Sequence, residues 1–436
     1  MQQISGQGLI HEITLEDLEK AVGGEITFCA CVHKIRSMGG FSFVILRTGK
    51  YLLQSVYSSD VCSDDIDNLC EGSYVEISGS VKHEQRAANG YEILLSSVTV
   101  LSKPAAEYPL HVSSKKLGCS LETNMSYRSV ALRHPDERAV FKISEGVVSG
   151  FREFMLSQGF TEIHTPKIVA AGAEGGANIF KLKYFGNDAY LAQSPQFHKQ
   201  TCVAFFDRVF EIAPVYRAEK HNSTRHLNEY IGLDFEMGFI HDMTDVMNME
   251  TAMLKHVVEY LEKNYSYELE MLGAELPSIG EIPAVTFFEA LDILGKEHNQ
   301  FDLDPSDEVR LCEYAKEKYG SDFIFVTKFP GLKRPFYAMD SKDDPKLAES
   351  FDLLFRGLEI TTGGQRIHDY NEQLEKLRRY KIEPEELGAY LDIHKYGMPP
   401  HGGLGIGLER LVMKLLNLAN IRQASMFPRD IHHLDP

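Results

Sequence analysis

The sequence predicts an α+β protein in two parts: a small β-barrel, then a larger domain with an antiparallel sheet flanked by helices. Three observations carry this. Five short strand-like runs punctuated by turn residues fall within residues 24–102. The remainder mixes strands and helices without a regular βαβ period. No GxGxxG or GxxxxGKS/T loop leads into a helix, which argues against a nucleotide site of the doubly wound or P-loop kind.

The barrel runs are Ile26–Arg36, Phe41–Leu46, Lys50–Tyr57, Ser73–Val81 and Tyr91–Leu101, with Gly39-Gly40 and Asn89-Gly90 as turns. Five strands in so short a stretch suit an OB-fold barrel, and equally another small barrel or sandwich. We place the barrel at 1–103, a linker rich in proline and polar residues at 104–134, and the larger domain at 135–436. That domain opens with an amphipathic helix over Asp136–Gln158, stopped by Gly159. Another helix is expected at Met243–Asn264, and strand-like runs at Val209–Pro214, Tyr230–Ile240 and Ser350–Thr362.

The 436 residues suffice for two or three domains, and 43% hydrophobic with 25% charged residues is ordinary for a water-soluble chain. The N-terminus lacks the basic flank and apolar core of a secretory signal, and no run is long enough to span a membrane. The seven cysteines include no CxxC pair, so a reduced, cytoplasmic protein without structural zinc is expected. A net charge of −18 excludes indiscriminate nucleic-acid binding. Screening over roughly 8–10 Å leaves a specific local groove possible.

Chemistry concentrates in two stretches. Arg217-Ala-Glu219 is followed by Arg225-His226 and Tyr230, giving two arginines, a carboxylate and a ring on two strand-like runs joined by a loop. Arginine forks meet phosphate oxygens bidentately, and an adenine needs a flat partner and an acceptor. Near the C-terminus, Pro399-Pro-His401-Gly-Gly-Leu-Gly405-Ile-Gly407-Leu-Glu-Arg410 sets an arginine on the first turn of an apolar helix. A glycine-rich turn into a core helix accounts for the glycines but not for that arginine.

Phe151–Pro166, Val215–Glu219 with Arg225, and Gly403–Arg410 resemble motifs 1, 2 and 3 of the class II aminoacyl-tRNA synthetases, in the right order. Motif 3 with its sequel Asn420–Asp430, the run Gln193–Gln200, and Gly232-Leu-Asp234-Phe-Glu-Met resemble the aspartyl branch of archaeal and eukaryotic type. The resemblance covers the whole chain. It implies ATP as substrate, Mg²⁺ as cofactor, L-aspartate and tRNA(Asp) as partners, and a homodimer built on motif 1. Arg217 and Arg410 would be catalytic. The ATP set would be Arg217, Glu219, Arg225, His226, Tyr230, Glu359 and Arg410, with Tyr230 where many relatives stack a phenylalanine. Asp352, Glu359 and, more weakly, Thr362 would hold the metal. Lys199 and Arg366 would receive the aspartate side chain. Asp234 and Glu174 would face its ammonium group, while Ser194, Gln196 and Thr362 would complete the amino-acid site. Glu174 lies in Ala173–Ala177, which resembles a loop closing over the amino acid, though relatives commonly have serine at Ala173.

In the barrel, the resemblance implies that Phe43 stacks on an anticodon base and Gln54 hydrogen-bonds one, with Arg36 as a third contact. His33 and Gln85 fall where relatives discriminate the third anticodon base. His33 favours relaxed recognition, charging tRNA(Asn) as well, and Gln85 matches neither pattern. Alternatives are asparaginyl-tRNA synthetase, lysyl-tRNA synthetase (which needs acidic receptors in place of Lys199 and Arg366), a paralogue without a tRNA role, and a regulator with a dead site.

Overall fold

The computed structural model describes residues 13–64, 66, 69–170, 178–220 and 223–434. The chain divides after Arg138 into two units. The first holds β1 (Glu25–Met38), β2 (Phe41–Thr48), β3 (Tyr51–Tyr57), β4 (Tyr74–His83) and β5 (Tyr91–Ser102), closed as β1-β2-β3-β5-β4. Alternation does the folding: Val44, Leu46, Leu53, Val75, Ile77, Ile93 and Leu95 point inward and are almost wholly buried. Residues 104–134, read as linker, carry two short helices, Leu121–Ser126 and Arg128–Ala131. Leu110, Val112 and Ala131 form a small apolar cluster there.

The second unit is built on eight strands. They are β6 (Thr161–Glu162), β10 (Arg208–Tyr216), β11 (Glu229–Gly238), β12 (Ala284–Thr286), β13 (Phe323–Thr327), β14 (Ser350–Phe355), β15 (Leu358–Arg366) and β16 (His401–Gly407). A separate small sheet holds β7 (Ile168–Val169), β8 (Lys181–Tyr184) and β9 (Asn187–Leu191). The large sheet runs β12-β13-β14-β15-β16-β11-β10-β6. Its six central strands pair antiparallel, as expected, but β12 on β13 and β6 on β10 pair parallel. The sheet is therefore mixed at both ends.

The run Ser350–Thr362 is two strands, not one. Arg356 (φ 46°) and Gly357 (φ 80°) form a tight turn between β14 and β15, the conformation a two-residue hairpin of the primed type demands. Arginine is an unusual residue for the first of those positions, which hides the turn from a reading of composition.

One face of the sheet is covered by the helices Pro135–Ser157 and Met243–Asn264, whose apolar stripes meet it. Val147, Phe151, Val246, Met253 and Leu261 join Phe210, Leu233, Phe235, Phe351 and Leu404 in one core. Burying each such side chain contributes about 1.5–3 kcal/mol. The Met243–Asn264 helix starts where Asp242 accepts from Thr244 N at 2.7 Å. The opposite face carries a second apolar core at its β12–β14 end, where Ile324, Val326 and Leu354 meet the helices Phe287–Leu294 and Pro305–Tyr319, and polar side chains toward its centre.

Candidate active site

Register across the sheet lines up a polar row. Glu211 pairs with Asp234, Asp234 with Gly405, Gly405 with Thr362, and Thr362 with Asp352. Partners directly opposite share a face, so Asp234, Thr362 and Asp352 are presented together. Glycine at the middle position is a steric requirement: a Cβ on Gly405 would sit 2.9 Å from Asp234 Oδ1, and one on Gly403 would collide with Glu236 Oε2. The motif 3 glycines thus clear room for two carboxylates projecting from β11. They form a strand rather than a turn, and the helix Leu408–Leu415 follows directly.

Above this row opens a cavity of about 680 Å³. Arg217 and Glu219, just beyond β10, line it, as do Arg225 and His226 from the loop before β11. Tyr230 and Asp234 enter from β11, Glu359, Thr362 and Arg366 from β15, and Arg410 from the helix after β16. Ser194 and Gln196 close the side nearest the helix Gln196–Phe206. Lys199 and Asp352, 1% and 7% exposed, lie beneath the lining and pair with Asp234 and Arg334, which belong to it. Glu174 and its loop, residues 171–177, fall outside the described residues.

At one end, Lys199 Nζ donates to Asp234 Oδ1 (2.8 Å) and to the Leu404 carbonyl (2.9 Å). Arg366 Nε bonds Glu236 Oε1 at 3.0 Å, and its Nη2 reaches the Gly403 carbonyl at 2.8 Å. Burial pushes the Asp234 carboxyl above its ordinary range, against the pull of Lys199. Burial pushes Glu236 the same way, yet Arg366 and Lys199 outweigh it and hold its carboxyl below the usual range. Two cations expected to form a positive receptor are matched by two carboxylates.

At the other end, Arg225, Arg334 and Arg410 each lie against a carboxylate. Arg225 Nη2 bonds Glu308 at 2.6 Å, Arg410 Nη1 donates to the Glu359 carbonyl at 2.8 Å, and Arg334 grips Asp352. His226, held to Ser223 Oγ at 2.6 Å, is neutral: burial first, then Arg410 and Arg225, brings it down to about 4. Thr362 donates to Glu359 Oε1 at 3.1 Å. Two carboxylates and a hydroxyl suit a hard cation that keeps waters and takes substrate oxygens. Among the described residues no group of three or more His, Cys, Asp or Glu forms a full protein cage.

Residues 120–431 match the model of tRNA synthetases class II (D, K and N), and residues 26–101 match the OB-fold nucleic acid binding domain. The chain is a class II tRNA synthetase. The synthetase is 44% identical over 430 residues to an aspartate–tRNA(Asp/Asn) ligase of Deinococcus radiodurans, covering 96% of this chain and 98% of that one. It is 38% identical over 431 residues to an aspartate–tRNA(Asp) ligase of Pyrococcus furiosus, covering 97% and 98%. Among solved structures it resembles asparaginyl-tRNA synthetase of Pyrococcus horikoshii with asparaginyl-adenylate, at a TM-score of 0.90 and 29% identity over 98% of this chain and all of that one.

On the synthetase's barrel, Arg36 on β1 stands opposite Phe43 on β2, both outside the inward-facing core. Gln54 on β3 bonds Glu92 Oε2 at 2.7 Å. Gln85 is exposed in the β4–β5 loop, whereas His33 is buried, 8% exposed. Burial and then Arg47 bring His33 down to about 4, so its ring is neutral.

Arg334 in the synthetase's cavity, and the buried carboxylates Glu236 and Glu308 that pair with its cations, carry no mark in the sequence reading. Glu236 lies two along from Asp234 on one strand, a spacing that alone puts both on one face. Glu308 and Arg334 reach their partners across 83 and 18 residues of chain, and no local pattern marks them.

Proposed function

We propose that the chain is an aspartate–tRNA ligase: it activates L-aspartate with ATP and passes it to tRNA(Asp), and to tRNA(Asn) as well. The observation that carries this is a cavity with Arg366 in its floor, Lys199 just beneath, and Arg217, Arg225 and Arg410 gathered at its other end. A dicarboxylic amino acid fits that floor by exchanging counter-ions. Its ammonium group takes over Asp234, and its side-chain carboxylate takes Lys199 and Arg366. Asparagine leaves those desolvated cations short of charge, a deficit a buried site punishes strongly. A lysine side chain meets the wrong sign.

Catalysis is then positioning and charge stabilisation. An oxygen of the aspartate α-carboxylate attacks the α-phosphorus of ATP in line, and the bond to pyrophosphate breaks. Arg217 holds the α-phosphate, where negative charge builds. Arg225, neutral His226 and Arg410 hold the outer phosphates, Tyr230 and Arg410 flank the adenine, and Glu219 accepts from its amino group. Ser194, Gln196 and Thr362 orient the amino acid, with Glu174 a further partner for its ammonium. Mg²⁺, held by Asp352 and Glu359 with Thr362 beside them, would screen the phosphate charge. The terminal ribose hydroxyl of tRNA then attacks the acyl carbon and AMP leaves.

Arg36, Phe43 and Gln54 on the barrel's outer face hold anticodon bases by stacking and hydrogen bonding. His33 and Gln85 bear on the third base, the buried His33 acting through its neighbours. Relaxed tRNA choice is supported by the relatives' names: both tRNAs in those 42–44% identical, and tRNA(Asp) alone only among those 37–38% identical, where both kinds occur. The two parts serve as an anticodon-binding domain at 1–103 and a catalytic domain at 135–436, with 104–134 between them. A homodimer on motif 1 is supported by the edge position of β6 and by exposed Ile168 and Leu156 nearby in sequence; light scattering reads it. A cytosolic setting fits seven unpaired cysteines, and no helix among the described residues is long and apolar enough to cross a membrane.

Aspartate-dependent exchange between ATP and labelled pyrophosphate tests the reading, with asparagine and lysine as controls. Exchange with aspartate alone, lost by at least about 100-fold in Arg217→Ala with the fold intact, supports it. Exchange driven by asparagine instead overturns it.

A further inference from the structure

Arg334 is a cation of the cavity with no part in the reaction proposed above. Arg334, in the loop between β13 and β14, lines the cavity with Arg217, Arg225 and Arg410. Its guanidinium takes both oxygens of Asp352, Nη1 to Oδ1 at 2.9 Å and Nη2 to Oδ2 at 2.6 Å. It also lies over Phe329, 3.9 Å from the ring centroid. The loop is pinned from behind, where the Tyr380 hydroxyl donates to the carbonyls of Gly331 (2.5 Å) and Arg334 (2.8 Å).

Asp352 stands three strands from Asp234 along the polar row, roughly 14 Å at about 4.8 Å per strand. Arg334 is therefore far from the amino-acid end. It shares the opposite end with Glu359, whose backbone N–H is 2.8 Å from the same Glu308 that holds Arg225. A divalent cation and Arg334 thus compete for one carboxylate. A guanidinium that loses its carboxylate inside a cavity needs another anion, since an unpaired buried charge is costly. Phosphate oxygens match its fork.

We propose that Arg334 is a further contact to the outer phosphates of ATP, exchanging Asp352 for phosphate oxygen when a divalent cation takes that carboxylate. This rests on reading the cavity as an adenylation site. Cation and triphosphate then bind with mutual help. The cation alone has to strip Arg334 from Asp352 with nothing to receive it.

Equilibrium titrations without aspartate test this on the full chain. ATP, pyrophosphate and AMP are titrated in the presence of Mg²⁺, and Mn²⁺ alone is followed by its spin resonance. In Arg334→Gln, ATP and pyrophosphate weaken by ~10–100-fold, as expected for a lost charged hydrogen bond. AMP stays within about twofold, and Mn²⁺ alone binds more tightly because Asp352 is released. Arg334→Lys, which keeps the charge but loses the fork, falls in between; it carries the same comparison if the glutamine variant does not fold. Equal weakening of ATP and AMP, unchanged pyrophosphate affinity, or weaker Mn²⁺ binding would make Arg334 a purely structural partner of Asp352 and overturn the proposal. A wild-type chain that binds neither ATP nor pyrophosphate would instead overturn the adenylation reading beneath it.

Discussion

Glu236 bridges the two cations of the cavity floor: Oε1 lies 3.0 Å from Arg366 Nε, and Oε2 lies 3.6 Å from Lys199 Nζ. All three side chains are almost wholly buried. Removing one charge from such a cluster leaves another uncompensated. Glu236→Gln is therefore expected to lower stability by about 3–5 kcal/mol. The denaturant midpoint checks this, and an unchanged midpoint would show that Arg366 and Lys199 do not depend on Glu236.

Gly405→Ala isolates the motif 3 glycine without touching a charge. Its methyl group would press on Asp234 Oδ1 at 2.9 Å and displace the carboxylate that Lys199 holds. The expected result is loss of aspartate-dependent pyrophosphate exchange by roughly 100-fold or more, since small misplacements in a reacting site cost that much. ATP binding persists. Normal exchange would show that the Asp234 position is not critical.

Above pH 6.5, where neutral His33 and His226 no longer contribute a slope of the opposite sign, stability should fall with rising pH, and Glu250 is one cause. Fully buried on the Met243–Asn264 helix and accepting from Thr361 Oγ1 at 2.6 Å, it is pushed by burial up to about 8. Between pH 4.5 and 8 the unfolded chain releases this proton while the folded chain keeps it, so the folded state loses about 1.4 kcal/mol per pH unit through that window. Below pH 4.5 both states hold the proton and the penalty vanishes. Glu409, pushed by burial to about 7, adds to the same slope. Glu250→Gln flattens the slope between pH 6.5 and 8 while Glu409 leaves a remainder; an unaltered slope in chemical unfolding would show that Glu250 is ionised in the fold.

Local regularity was readable in the sequence, and long-range pairing was not. The Met243–Asn264 helix has the bounds that its periodicity predicted, and the barrel strands end within a few residues of their alternating runs. The Arg356-Gly357 turn was missed because an arginine with positive φ follows no compositional rule. The parallel edges of the sheet follow from β6 and β12, segments of two and three residues, too short to show a period. In the site, residues fixed by chain-local motifs were legible, and the fold brings Arg217, Glu219, Arg225 and Arg410 to one cavity. Those whose meaning lies in a partner far along the chain, Glu308 with Arg225 and Arg334 with Asp352, needed the fold.

Charging is the direct test of the central claim. The purified protein is given transcripts of tRNA(Asp) and tRNA(Asn) with labelled aspartate, and separately with labelled asparagine. Aspartate is expected on both tRNAs and asparagine on neither. Aspartate on tRNA(Asp) alone would contradict the relaxed tRNA choice, and asparagine on tRNA(Asn), or no aspartate on either tRNA, would contradict the assignment itself.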